Sequence, residues 1–169
     1  MLSKNLKLFF FFTILSLLNL KCGVYSFSGA SVPIDVKSLS IEYIVNKAPN
    51  SWSSVDRILN LELRQKMIQD GGLKVLDKDG DYQIKGVITN YNISPQAPTT
   101  GGFSNQYRLT INVQIEFTDI KTEKKVTWNE NFSNFEVYSD NISGSEDVLI
   151  TKISKNISNQ IFNKIFSSW

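Results

Sequence analysis

The residue with the most chemistry in this 169-residue chain is its only cysteine, Cys22. A cysteine thiolate is a strong nucleophile and a ready acceptor of acyl or metal groups, and its surroundings decide which of these it becomes. Cys22 stands directly behind a leader with the parts of a secretory signal: Lys4 and Lys7 form a positive n-region, and Leu8 to Leu18 form an apolar run of eleven residues in which only Thr13 and Ser16 are polar. A membrane-spanning helix needs about 20 apolar residues, so this run is too short to remain as a span and is expected to be cut. Asn19, Leu20 and Lys21 are not the small residues of an ordinary cleavage site. A cysteine at this place suggests instead a bacterial lipobox, in which the thiol receives diacylglycerol before cleavage leaves Cys22 as the first residue. The run departs from the usual pattern, with Lys21 where a small residue is customary, Asn19 where an aliphatic one is, and Leu18 one place early. The other reading is a free or buried cysteine in a normally secreted protein. If acylated, Cys22 is a durable anchor, because each buried methylene contributes about 0.8 kcal/mol and two or three chains add up.

Little else in the chain invites catalysis. Histidine is absent, which removes the commonest general base and metal ligand, and no pair of acidic residues stands out for carboxylate chemistry. The expectation is a protein that is not an enzyme and holds no cofactor or metal. Asp77, Asp79 and Asp81 alternate and raise a calcium reading, but Gly80 precedes the third acid and Ile88 stands at the twelfth place where a calcium loop needs glutamate. An Asp-Gly turn entering a strand is the preferred account. Asn92, Asn131, Asn141 and Asn156 begin N-x-S/T triplets, which an Asn- and Ser-rich chain produces by chance and a bacterial lipobox makes irrelevant to glycosylation.

Cleavage before Cys22 leaves 148 of the 169 residues, one domain of ordinary size. The formal charge of +2 is carried by the leader: Lys4, Lys7 and Lys21 depart with it, leaving 15 basic against 16 acidic residues, about −1. Such a balance gives no bulk attraction to nucleic acid or an anionic surface. A single cysteine forbids intramolecular disulfides, so stability must come from packing. The organisation read from this is a lipoprotein signal peptide over 1–21, a lipidated tether over 22–36 and a single α+β domain over 37–169.

The elements of that domain follow from periodicity. Leu39, Ile41, Tyr43 and Val45 alternate with Ser38, Ser40, Glu42 and Ile44, a first strand ended by Ala48-Pro49-Asn50. Ser51, Ser53 or Ser54 caps a helix whose apolar residues Val55, Ile58, Leu59, Leu63 and Met67 recur at three and four, closed by Gly71-Gly72. A short strand-like piece, Leu73 to Leu76, precedes a strand from Tyr82 to Ile93 that changes face near Gly86. The breaker-rich Ser94 to Gly102 reads as a long hairpin loop. Tyr107, Leu109, Ile111, Val113, Ile115 and Phe117 then alternate without interruption with Arg108, Thr110, Asn112, Gln114, Glu116 and Thr118, the cleanest strand in the chain. Val126, Trp128 and Phe132 begin another, with a change of phase before Phe135 and Val137. A last helix carries the stripe Ile150, Ile153, Ile157, Ile161 and Ile165, with Ser143 and Glu146 as its capping box and Lys152, Lys155 and Lys164 on its wet side. The fold class expected is a mostly antiparallel four-stranded sheet with two amphipathic helices on one face, a two-layer sandwich.

The string CGVYSFSGASVP after the leader and IFNKIFSSW at the C-terminus resemble the corresponding ends of the LptE family, the lipoprotein component of the lipopolysaccharide transport machine, and the order of elements between them fits. The resemblance implies a non-enzymatic lipoprotein on the periplasmic face of the outer membrane, with an LptD-type β-barrel and lipopolysaccharide as partners, the chain plugging the barrel and assisting its assembly. Its own polar sheet face is the natural place for such contacts: Arg108, Thr110, Asn112 and Gln114, with Lys85 and Phe103 beside them, Arg108 and Lys85 meeting lipopolysaccharide phosphates. The rival class is an unrelated envelope lipoprotein, a solute-binding or secretion-pilot module, since one fold hosts many functions.

Overall fold

The computed structural model describes residues 32–96, 106–122, 127–139 and 144–167. In chain order these give β1 (Ser38–Ile41), β2 (Val45–Asn46), α1 (Val55–Gln69), β3 (Lys74–Leu76), β4 (Tyr82–Gln96), β5 (Gln106–Asp119), β6 (Thr127–Ser139) and α2 (Glu146–Phe166). The α+β class stands, but the sheet is six-stranded and mixed, in the order β3-β1-β4-β5-β6 with β2 also beside β4. This corrects the expected four-stranded, mostly antiparallel sheet. β1 runs parallel to both β3 and β4, and β2 runs parallel to β4, while β4-β5-β6 form the antiparallel meander.

Two local events produce the difference. The alternation over 38–45 breaks after Ile41, because Ile44 is fully buried while Tyr43 and Val45 are exposed. The Ile44 N–H donates to Asn60 Oδ1 at 3.0 Å instead of to a strand, so one expected strand becomes two. The piece at 74–76 then earns a place in the sheet through α1, whose crossover returns the chain alongside β1 and pairs Leu39 with Val75.

The helices form as their apolar spacing predicts. In α1 the residues Val55, Ile58, Leu59, Leu63 and Met67 are all buried, and in α2 the whole isoleucine stripe is buried together with Phe162 and Phe166. Both helices and the covered face of the sheet share one core. Tyr82 lies edge-on to Phe117 at 5.1 Å and Phe117 stacks on Trp128 at 5.2 Å, tying β4, β5 and β6 under the end of α2. The caps differ from expectation. Ser54 stands at the N-cap of α1, but its Oγ donates to Asp147 Oδ1 at 2.6 Å, joining the starts of the two helices. Ser145 stands at the N-cap of α2, Ser143 lies outside the described residues, and Glu146 is buried and receives a hydrogen bond from the Tyr91 hydroxyl. Gly72, at φ +61°, ends α1 in the left-handed region and donates to Ile68 O at 3.1 Å.

In β4 the change of face lies three residues beyond the expected place. The pairing with β5 shifts between Ile88 and Asn90, so Ile88 and Tyr91 both reach the core around an extra residue, Thr89. Gly86 has a different duty, since a Cβ there would meet Ile115 Cδ1 at 2.7 Å. β6 keeps one register with β5 throughout, so Phe135 and Val137 do not swing inward and instead project from the uncovered face, 47% and 42% exposed.

Candidate functional site

Because side chains alternate along β5, the helix-covered face takes Leu109, Ile111, Val113, Ile115 and Phe117, and the opposite face takes Arg108, Thr110, Asn112, Gln114 and Glu116. The register sets the neighbours on that open face. Arg108 lies between Ser94 and Val137, Thr110 between Asn92 and Phe135, Asn112 between Asn90 and Ser133, Gln114 between Val87 and Asn131, and Glu116 between Lys85 and Asn129. Asn112 is held in place, its Oδ1 accepting from Ser133 Oγ at 2.7 Å and its backbone carbonyl from Thr89 Oγ1 at 3.3 Å.

Five of the expected residues, Lys85, Arg108, Thr110, Asn112 and Gln114, therefore share one face, but the two cations are far apart. Lys85 is opposite Glu116, eight positions from Arg108 along β5, about 27 Å at ~3.4 Å per residue. Lys85 also faces Glu42 at 3.5 Å, so two carboxyl groups flank it. It borders a shallow depression of about 250 Å³ lined also by Val45, Lys47, Gln114 and Glu116. The Arg108 guanidinium lies 4.1 Å over the Phe135 ring at the end of the sheet that leads into 97–105. Phe103 and Cys22, both candidate positions, lie outside the described residues. Reading by sequence missed Phe135 and Val137 as members of this face; the signal was their odd numbering in phase with Asn129, Asn131 and Ser133.

The carboxyl groups that hinted at a metal have other work. Asp81 Oδ2 accepts from the N–H groups of Lys37 and Ser38 at 2.9 and 3.0 Å, which holds its carboxyl below the usual range. Asp77 pairs with Arg64 at 2.8 Å, and Asp79 takes a left-handed turn at φ +59°. Among the described residues no group of acids, cysteine or histidine is placed to hold a metal ion. Burial, followed by the bond to Glu146, pushes the Tyr91 hydroxyl far above its ordinary pKa, so it remains a donor that fixes β4 to the start of α2. Among the described residues no helix is long and apolar enough to cross a membrane.

The family model described as LptE, lipopolysaccharide-assembly, matches residues 36–165. None of the curated proteins matches the sequence. Among solved structures, the chain is similar to the hypothetical protein CT253 from Chlamydia trachomatis, with TM-score 0.55, 8% identity, and 79% of this chain and 99% of that one covered. It is similar to the same degree, TM-score 0.55 and 8% identity, to protein XCC0632 from Xanthomonas campestris, covering 82% of this chain and 90% of that one. At this identity the two likenesses speak for the fold. The rare lipoprotein B from Shewanella oneidensis aligns with TM-score 0.46 and 14% identity over 76% of this chain and 93% of that one.

Proposed function

The chain belongs to the LptE family of lipopolysaccharide-assembly proteins, and from that premise we propose that it is a non-catalytic outer-membrane lipoprotein that plugs an LptD-type β-barrel and helps deliver lipopolysaccharide to the outer leaflet. In this reading residues 1–21 are removed, acylated Cys22 anchors the chain to the periplasmic face, and residues 22–36 tether the domain of 37–169. The observation that carries the proposal is the open face of β5. It is built mainly from uncharged hydrogen-bonding side chains, Thr110, Asn112 and Gln114, joined by the adjoining Asn90, Asn92, Asn131 and Ser133. Barrel interiors are polar and watery, and a surface rich in amides and hydroxyls meets such a wall without stranding charges. The family assignment supports this reading over that of an unrelated envelope lipoprotein.

Of the two cations, Arg108 is the better candidate for a lipopolysaccharide phosphate. A guanidinium over an aromatic ring keeps its fork of donors oriented, whereas Lys85 is already flanked by Glu42 and Glu116. The two lie too far apart for one phosphate to bridge them.

The test is site-specific photocrosslinking in cells. A photoreactive residue at Asn112, Gln114 or Phe103 should trap the barrel, and one at Lys155 on the exposed side of α2 serves as the reference. If none of the sheet-face positions traps it while a tagged chain still co-purifies with an intact barrel, the docking face is wrong although the partner is right. If no barrel co-purifies, the partner is wrong. Cys22→Ser should leave the membrane fraction in a strain lacking the barrel; persistence there would remove the anchor from the reading.

A further inference from the structure

Where β1 begins and β5 finishes, two pinned turns form a tip. Val32 packs against the core, Val36 is buried, and the Val36 N–H donates to Pro33 O at 3.0 Å, which fixes the turn between them. That turn holds Ile34 97% exposed, more than any other large apolar side chain among the described residues. Lys121 Nζ donates to Asp35 O and lies 3.5 Å from the Asp35 carboxylate, setting this turn beside the one that follows β5. Ile120 stands in that second turn, exposed, with its N–H on Asp81 O at 3.0 Å. Single apolar residues scattered on a surface are ordinary, but here two isoleucines flank one ion pair.

The charges around them are arranged in two ways. Asp81 accepts from the N–H groups of Lys37 and Ser38, and Asp119 from those of Lys121 and Thr122 at 2.9 and 3.2 Å, so both carboxyl groups are tied to the backbone of the domain. Lys37 and Lys74 are neighbours through the bond from Lys74 N to Lys37 O at 3.0 Å. Both are exposed, and neither has an ion pair among the described residues. Apolar side chains at a tip with free lysines beside them suit a lipid interface: the isoleucines enter the acyl boundary while the ammonium groups reach the phosphates.

We infer that this tip, Ile34 and Ile120 with Lys37 and Lys74, rests on the phospholipid surface that holds Cys22. The covalent chain selects that surface. Cys22 precedes Val32 by ten residues, a reach of at most about 36 Å, and the chain enters the domain at Val32, beside the tip. The far end of the domain is placed otherwise. α2 finishes near the tip, because Phe166 stacks with Tyr82 at 6.1 Å and Tyr82 follows Asp81. Its 21 residues then carry its start about 31 Å away. An anchor at Cys22 therefore gives the tip a high local concentration of lipid, and a patch too small to hold a free protein is sufficient under a tether. The inference rests on the anchored reading of Cys22 and not on the barrel.

The experiment places the chain, purified from membranes, in vesicles of phosphatidylcholine and phosphatidylglycerol, with the state of Cys22 read by mass spectrometry. A photoreactive residue at Ile34 or Ile120 should trap phospholipid, whereas one at Val148, exposed at the start of α2, should not. Removing one isoleucine from an apolar boundary costs roughly a factor of ten or more, so Ile120→Asp should cut trapping at position 34 about tenfold, and Ile34→Asp that at position 120. Lys37→Glu combined with Lys74→Glu should lower both, more at low salt than at high. Circular dichroism checks that each variant is folded. If Cys22 is acylated and positions 34 and 120 trap no more lipid than 148, or trapping at 34 is indifferent to Ile120→Asp, the inference alone falls. If Cys22 carries no acyl group, the anchored reading falls and the inference with it.

Discussion

At the β3-β1 edge the ladders are short and side chains complete them, whereas in the β4-β5-β6 meander the ladders are long and side chains sort to faces. Around β1, Asp81 takes the N–H groups of Lys37 and Ser38, Asn60 takes the Ile44 N–H and returns an N–H to Ile44 O at 2.9 Å, and Arg64 donates to Ile41 O at 2.9 Å. Each of these bonds answers a backbone group where a strand stops. In the meander the backbone satisfies itself over β5, and burial alone distinguishes one side from the other. The parallel edge is thus specified by a few polar side chains, and the meander by the alternation of apolar ones.

The contrast orders the expected effects of substitution. The largest belongs to the covered face of β5: Ile111→Asp or Val113→Asp buries an unpaired charge costing several kcal/mol against a total stability of about 5–15, and circular dichroism should show an unfolded chain. A folded variant would mean that the helices do not seal this face. Next comes Asn60→Ala, which strands the buried Ile44 N–H and carbonyl and should cost about 2–3 kcal/mol in urea unfolding. An unchanged midpoint there would break the comparison, since it would leave the parallel edge without the side-chain bonds credited to it.

Asp81→Asn should cost less than Asn60→Ala, because Asp81 is partly open to solvent and screening discounts its charge. Its pH dependence sharpens the point. The folded-state pKa lies below the ordinary 3.8, so the stabilisation is complete above the unfolded pKa and is lost as pH falls through the folded one. The stability difference between wild type and Asp81→Asn should therefore be constant from neutral pH down to about 5 and shrink below about 4; a difference that grew on acidification would contradict the bonding assigned to Asp81. The smallest effect is expected at Asn112→Asp on the open face, within about 0.5 kcal/mol for the isolated chain. A loss comparable to Ile111→Asp would show the open face to be covered.

Much of this was legible in the sequence, and unevenly so. The alternation from Tyr107 to Phe117 and the stripe from Ile150 to Ile165 predicted burial residue by residue, because a period of two or of 3.6 is a local property. Gly86 and Thr89 show the limit: the mismatch of phase in β4 was visible, but two positions could absorb it, and pairing with β5 chose Thr89. Glu146 shows another, since its bond from the Tyr91 hydroxyl joins residues 55 positions apart, which no local spacing announces. For the candidate face, the shared side of Arg108, Thr110, Asn112 and Gln114 followed from alternation. The separation of Lys85 from Arg108, and the arrival of Phe135 beneath the guanidinium, depended on registers that only the assembled sheet fixes.

What the sequence determined by itself was the set of elements with a strong period, the exclusion of histidine chemistry, and a family resemblance that the match over 36–165 bore out. What the tertiary structure decided was the mixed sheet: the parallel placing of β1 between β3 and β4, and the splitting of one expected strand at Ile44. The reason is physical. Side-chain periodicity is written along the chain, but strand partners are chosen by contacts between residues distant in sequence, such as Leu39 with Val75 and Tyr82, whose closure depends on the helix packed between them.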